Sequence, residues 1–351
     1  MTTALTAAVA KKYHSRDYPV VRSQIAEWGQ SRPLDGARVL DATPLFTNTL
    51  AKLLPLIAAG AKVSVGVHPD VPADPAVVAL LPDLGIDVVA GASTEAEFDV
   101  ILDCAGRHRG VTSTHGYAEL THSGLAHYAG SLQPVVMVDE SPLKLLETMF
   151  GTGESFGRAL DHLNARPANN RVVVFGAGKV GSGIALNAIG QGLSVTMIDR
   201  PNAANFAHAP IIDLRDVEAV TDALSNAGVI VTATGVAGAV AEFAEAIVAS
   251  NAIVANMGVD DEFGPDVPVD RVLNGKAPVN FVLAEPTLMR YMDPIFALSN
   301  AAAVDLITGN VPPGIHPPNP SIDATIAAHL RETHSNLDEL TFIERLLTHP
   351  L

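Results

Sequence analysis

The clearest chemistry in the chain comes from three glycines and an acid. An apolar, largely β-branched run, Val172–Phe175, leads into Gly176-Ala177-Gly178-Lys179-Val180-Gly181. A helix-like segment follows, then a second apolar run, Ser194–Ile198, closed by Asp199. Each position has a physical job in holding a dinucleotide. Gly176 allows a tight turn. Gly178, with no Cβ, lets a pyrophosphate approach the backbone. Gly181 lets the helix pack on the sheet. The helix start at Lys179, Val180 and Gly181 turns N–H groups and a favourable dipole toward the phosphates. Asp199 stands where an acid hydrogen-bonds the adenosine ribose, and its charge favours NAD over NADP. Arg200 is the counter-argument, because a guanidinium can reach a 2′-phosphate. The plainer reading is a glycine-rich turn in some other α/β sheet; the strand–helix–strand context argues for the dinucleotide.

Further candidates sit where apolar runs end. Thr232-Ala233-Thr234-Gly235 and Asn256-Met257-Gly258 follow two such runs in the same half. Ligands of doubly wound sheets bind outside the carboxyl ends of the strands. The hydroxyls of Thr232 and Thr234 and the Asn256 amide are therefore candidates for the ribose and the nicotinamide carboxamide. Ordinary turn chemistry is the alternative. In the first half, Asp103 closes Val100–Leu102, and Asp139-Glu140 closes Val135–Val138. A carboxylate there serves as a base or substrate anchor, or caps the next helix. Lys144 and Glu147 follow on one helix. Beside NAD, a lysine can take or share the proton of a substrate hydroxyl. On a helix surface the same pair is an ion pair of about 0.2–0.5 kcal/mol. Cys104 reads as a buried small hydrophobe before it reads as a nucleophile. The histidine spacings match no metal site, and none is expected.

The elements that must position these residues alternate along the chain. Strands are expected at 37–41, 62–67, 87–90, 100–104 and 135–139, with helices at 49–59, 76–84 and 117–123. A long helix over 141–164 links this half to the glycine segment. Strands at 211–214, 229–232, 252–256 and 281–284 continue the second half. The stretch 311–320, VPPGIHPPNP, reads as a proline-rich turn between helices at 296–307, 322–331 and 337–347. The fold class is α/β, with two Rossmann-like parallel-sheet domains and a cleft between them. Residues 1–157, completed by 295–351, form a substrate domain, and 158–294 form the NAD-binding domain.

Composition narrows the partners. The 351 residues carry a formal charge of −16, which argues against nucleic acid or an anionic membrane as a partner. One cysteine excludes an intrachain disulfide. No apolar run reaches membrane-spanning length, and the start resembles no signal peptide. A cytoplasmic protein with a small-molecule substrate is expected.

These residues together resemble the S-adenosyl-L-homocysteine hydrolase family. The likeness is carried by the glycine segment with Asp199, by Val231–Gly235, by Ala255–Asp261, and by Leu283–Pro286 followed by Asp293–Asn300. Upstream, Leu34–Val63, Ile101–Gly106 and Phe150–Ser155 are similar in a looser way. The resemblance implies bound NAD, a homo-oligomer such as a dimer, and a relay in which a ribose hydroxyl is oxidised, a thiol eliminated, water added and the ketone reduced again. It implies a catalytic lysine at Lys144 and a cofactor-side asparagine at Asn300. The departures fall on the substrate side. The family's histidine, threonine and glutamate of one segment fall on Pro44, Phe46 and Asn48. An aspartate falls on Cys104, and two further histidines fall on Val259 and Asp293. Lys144 remains, with Asp139, Glu147 and Asp293 as the other acid–base candidates. An NAD enzyme oxidising a carbinol or amine carbon of another polar metabolite is the leading expectation. The alternatives are thioether hydrolysis by the family's relay, the same relay on another nucleoside-like substrate, and a noncatalytic NAD-binding protein.

Overall fold

The structure is a computed structural model that describes residues 2–91, 97–201, 206, 209–309, 311–333 and 337–348. It divides into two compact units. One comprises Met1–Lys144 with Leu288–Thr348, and the other Leu145–Thr287. Each is built on its own parallel sheet, as the alternating pattern of the sequence requires.

The first unit contains β1 (Arg38–Asp41), β2 (Lys62–Val67), β3 (Asp87–Ala90), β4 (Glu97–Asp103), β5 (Thr112–Glu119) and β6 (Pro134–Met137). A late strand, Gly314–His316, joins as β12, and the order is β12-β6-β5-β4-β1-β2-β3. Every pairing is parallel. Val39, Leu40, Val100, Ile101, Leu102, Val135 and Val136 are buried, as parallel strands covered on both faces demand. The chain runs from β1 outward to β2 and β3, then returns to β4 on the other side. The order therefore reverses between β1 and β4, where α/β sheets open a crevice.

The second unit holds β7 (Arg171–Phe175), β8 (Ser194–Asp199), β9 (Ile211–Asp213), β10 (Val229–Thr232) and β11 (Ile253–Asn256), in the order β11-β10-β7-β8-β9. Side chains of β7 alternate between two cores. Val172 and Val174 pack with Ile184, Ala185 and Ala188 of the helix Lys179–Gly190. Val173 and Phe175 pack with Val220, Leu224 and Phe243 on the other face. The helix Thr152–His162 crosses Lys179–Gly190 so closely that a Cβ on Gly153 would stand 2.2 Å from the Gly183 carbonyl oxygen.

Four expected elements are corrected. Residues 117–119 belong to the strand β5 and not to a helix, because pairing with β4 and β6 outweighs a helix-like composition. The proline-rich stretch contains β12, an edge strand bonded only to β6, where missing proline N–H groups are tolerated. Residues 279–282 form a short 3₁₀ turn in place of a strand. The long helix after 141 starts as a turn and passes through a π-helical segment, Leu146–Gly151, before becoming α-helical. Among the described residues, no helix is long and apolar enough to cross a membrane.

Candidate active site

The glycine turn has the shape its spacing predicts. Gly176 adopts φ +97°, and a Cβ there would lie 2.4 Å from the Ala233 carbonyl oxygen. A Cβ on Gly181 would lie 1.9 Å from the Gly176 carbonyl oxygen. Among the described residues, a Cβ at Gly178 would meet no atom within 4 Å. Internal packing therefore demands glycine at 176 and 181 but not at 178. The open space at 178 is compatible with the close approach of a pyrophosphate. The helix Lys179–Gly190 starts at Gly178 without a side-chain cap, and its amino terminus faces the glycine turn. A cavity of about 390 Å³ runs from Gly176 and Gly178 past Asp199 and Arg200 to Thr234 and Val236. Ile198, Leu214 and Val240 add apolar wall suited to an adenine face.

Asp199 is partly committed. Its Oδ2 accepts the Ala177 N–H at 2.7 Å and its Oδ1 the Arg200 N–H at 2.6 Å. Each carboxylate oxygen retains lone-pair capacity for a ribose hydroxyl. Thr232 donates its Oγ1–H to Asn256 Oδ1 at 2.9 Å. Asn256 Nδ2 points at the carbonyl oxygens of Gly258, Asp260 and Lys276, at 2.7–3.1 Å. Both residues are fully buried. They tie β10 to β11 and to the following loop, while Thr234 lines the cavity itself. Sequence reasoning missed Glu262. Its buried carboxylate accepts the N–H groups of Thr234 and Gly235 at 2.8 and 2.7 Å, and burial pushes its pKa up. It fixes the turn that faces the glycines. An acid soon after Asn256-Met257-Gly258 was the only signal.

The first unit concentrates charge at the crevice end of its sheet. Three adjacent strands, β1, β4 and β5, end on Asp41, Asp103 and Glu119, and Asp103 is the register partner of Glu119. All three are at most 1% exposed, as are Lys52 and Lys144. Lys52 Nζ lies 2.5 Å from Asp41 Oδ2, and Asp41 Oδ1 accepts the Thr43 hydroxyl at 2.6 Å. Burial pulls the Lys52 pKa down, and Asp41 opposes that shift. Asp103 accepts from the Cys104 N–H at 2.8 Å and the Tyr128 hydroxyl at 2.6 Å. Glu119 accepts from the N–H groups of Ala105, Gly106 and Thr121, between 2.7 and 2.9 Å. The two acids thus clamp the loop that follows β4. Burial, followed by the charge of Glu119, holds the Cys104 thiol in its neutral form; Lys144 opposes them, and Asp103 adds a smaller push toward the thiol. Lys144 and Cys104 therefore share one electrostatic environment.

The other expected residues are placed as follows. Asp139, 6% exposed, sits in the 3₁₀ turn that follows β6, with Lys144 a few residues on. Glu147 lies in the π-helical segment and belongs to the second unit. Asp293 is fully buried, and its carboxylate oxygens accept the N–H groups of Val20 and Val21, both at 2.9 Å. It serves the start of the helix Pro19–Ser31. Asn300 is fully buried in the helix Met289–Ile307 and donates Nδ2–H to the Lys52 carbonyl at 2.9 Å. Its Oδ1 has no hydrogen-bond partner. Lys52 carried a readable signal, a single lysine in the otherwise apolar helix Thr49–Ala58.

Comparison with known proteins agrees with the glycine turn. Residues 152–277 match the family model described as S-adenosyl-L-homocysteine hydrolase, NAD binding domain. The chain is a distant relative of the adenosylhomocysteinases. Adenosylhomocysteinase of Thermotoga maritima is 27% identical over 332 residues, covering 84% of this chain and 80% of that one. S-inosyl-L-homocysteine hydrolase of Methanopyrus kandleri is 31% identical over 257 residues, covering 63% of this chain and 59% of that one. NAD is the cofactor of this adenosylhomocysteinase relative. Among solved structures, a dipicolinate synthase polypeptide of Bacillus halodurans superposes with a TM-score of 0.52 at 14% identity, over 78% of this chain and 99% of that one. That likeness concerns the fold alone.

Proposed function

We propose that the protein is an NAD-dependent enzyme that oxidises a carbinol or amine carbon of a small polar metabolite other than S-adenosylhomocysteine. The observation that carries this reading is Lys144. It is 1% exposed, it follows the turn after β6, and its charge acts on the Cys104 thiol. Burying an ammonium is costly, and in a chain with an NAD domain we read this lysine as part of the chemistry. NAD, when bound, supplies the hydride acceptor. Gly176, Gly178 and the first turn at Lys179, Val180 and Gly181 hold its pyrophosphate, and Asp199 holds its ribose. Asn300 Oδ1 remains a cofactor-side acceptor of the proposal. As a substrate C–OH becomes C=O, its hydroxyl proton must leave. Lys144 Nζ takes that proton if neutral, or stabilises the forming oxyanion if charged, which is worth about 10²–10⁴ in rate. Asp139 and Glu147 are the further proton-handling groups. Cys104, held as a thiol, is a poor nucleophile, which favours redox over covalent chemistry.

Pro44 and Phe46 stand where the resemblance places a histidine and a threonine, so the groups that would handle S-adenosylhomocysteine are absent. Relatives named for an adenosyl and for an inosyl substrate support a substrate side that varies within this family. The test is turnover by the purified protein over a panel of polar alcohols and amines with NAD, comparing wild type with Lys144→Met. Net formation of reduced cofactor is expected, falling by about 10² or more in the variant, with NAD affinity unchanged. Product formed without net reduced cofactor would instead show the internal relay. Full activity in Lys144→Met would remove the lysine from the chemistry.

A further inference from the structure

A second cavity, of about 380 Å³, lies within the first unit, away from the ends of its strands. It is framed by the helices Pro19–Ser31, Met289–Ile307 and Pro320–Thr333. Its apolar surface comes from Trp28, Val20, Ile322 and Ile326. Its polar groups are of one kind. The Ser23 hydroxyl spends its proton on the Val20 carbonyl at 2.7 Å, and the Thr325 hydroxyl on the Ser321 carbonyl at 2.8 Å. The His329 Nε2 lies 3.2 Å from the Pro19 carbonyl oxygen, which can only accept, so the neutral ring offers Nδ1 as an acceptor. Gln24, only 8% exposed, donates its Nε2–H to the Ala297 carbonyl at 2.8 Å, which fixes the amide's orientation. Its Oε1 is then a buried acceptor with no partner. Glu27 and Glu332 add two carboxylates, and no lysine or arginine lines the cavity among the described residues.

We infer that this cavity is a binding site for a small organic cation, a protonated amine attached to an apolar body. The ammonium supplies donors to Gln24 Oε1 and to the carboxylates of Glu27 and Glu332, and the apolar body lies against Trp28, whose ring face also attracts a cation. An unsatisfied buried acceptor is uncommon and costly, and a donor ligand removes that cost. The chain's formal charge of −16 raises the local concentration of cations further. This site is separate from the redox site proposed above.

The test is titration calorimetry of the full chain with 2-phenylethylammonium, against 2-phenylethanol and 3-phenylpropionate. The ammonium ion is expected to bind at least about tenfold more tightly than either, the anion being weakest. In the double variant Glu27→Gln and Glu332→Gln, changed at exposed side chains, its affinity is expected to fall about three- to tenfold. Gln24→Met is expected to cost about tenfold more. Equal binding of the amine and the alcohol would overturn the proposal. So would an amine affinity untouched by both the double variant and Gln24→Met.

Discussion

The two sheets reverse their strand order in the same way, yet they build their sites from different material. In the second unit the site is made of backbone. Gly176 and Gly181 act through the Cβ they lack, Gly178 leaves open space, and a helix start lies beside them as the candidate binding surface. In the first unit the site is made of side chains. Asp41, Lys52, Asp103, Glu119 and Lys144 are all buried and come from scattered points in the chain. A backbone site is encoded in one short segment, because adjacent residues share one turn. A side-chain site exists only once strands pair. The first kind is tuned by steric space and the second by charge balance, so they should fail differently.

That contrast can be broken by experiment, starting with charge. Lys52→Met removes one partner of a pair whose side chains are 1% and 2% exposed and leaves Asp41 buried without its cation. A loss of about 3–5 kcal/mol is expected from urea denaturation. A loss under about 1 kcal/mol, the size of a surface pair, would mean that the first site is not held by charge. Space comes next. Gly178→Val should weaken NAD binding by about 1–3 kcal/mol or more, a factor of roughly ten to a hundred in Kd, while the melting temperature stays that of wild type. Gly181→Val, whose Cβ would collide with the Gly176 carbonyl, should instead lower the melting temperature. If both variants unfold alike, the distinction between packing and ligand at this turn is lost.

The smallest expected effect concerns pH. Burial, and secondarily Asp103, raises the pKa of Glu119. Between its ordinary and raised values, the folded state keeps a proton that the unfolded state has lost. Folded protein then binds more protons, so this group's contribution to stability falls as pH rises through that window. Glu119→Gln should remove this slope. Stability measured from acid to neutral pH should show wild type losing ground to the variant; parallel curves would contradict the assignment.

Legibility followed the same divide. The parallel strands, the order of elements and the glycine turn could all be read from apolar runs and spacing. The purpose of Asp103 was ambiguous because a strand-end carboxylate looks the same whether it meets a substrate or clamps a loop; its bonds to Cys104 and Tyr128 show the second use. Asp293 was read through its neighbours in sequence, but its partners Val20 and Val21 lie at the other end of the chain. The place of Asn256 after a strand suggests a ligand contact, and in the structure its amide meets three carbonyl oxygens of neighbouring loops. β12 was hidden because an edge strand needs only one row of hydrogen bonds and can carry prolines beside it. For Asp293 and β12 the missing information was a partner far along the chain, which no local pattern contains.

The pairing of β6 with β12 has a consequence for synthesis. Gly314–His316 must reach Pro134–Met137, and the whole of Leu145–Thr287 is made between them. At about 5–20 residues per second, a ribosome spends on the order of 10 s or more on that interval. Throughout it, β6 presents an unpaired edge, and the helix at Pro19 waits for the carboxylate of Asp293. The second unit, continuous from 145 to 287, has every strand it needs as soon as it emerges. The chain therefore completes its middle before its beginning. A first sheet formed in that interval has an open edge at β6, the kind of edge at which strands of neighbouring chains pair.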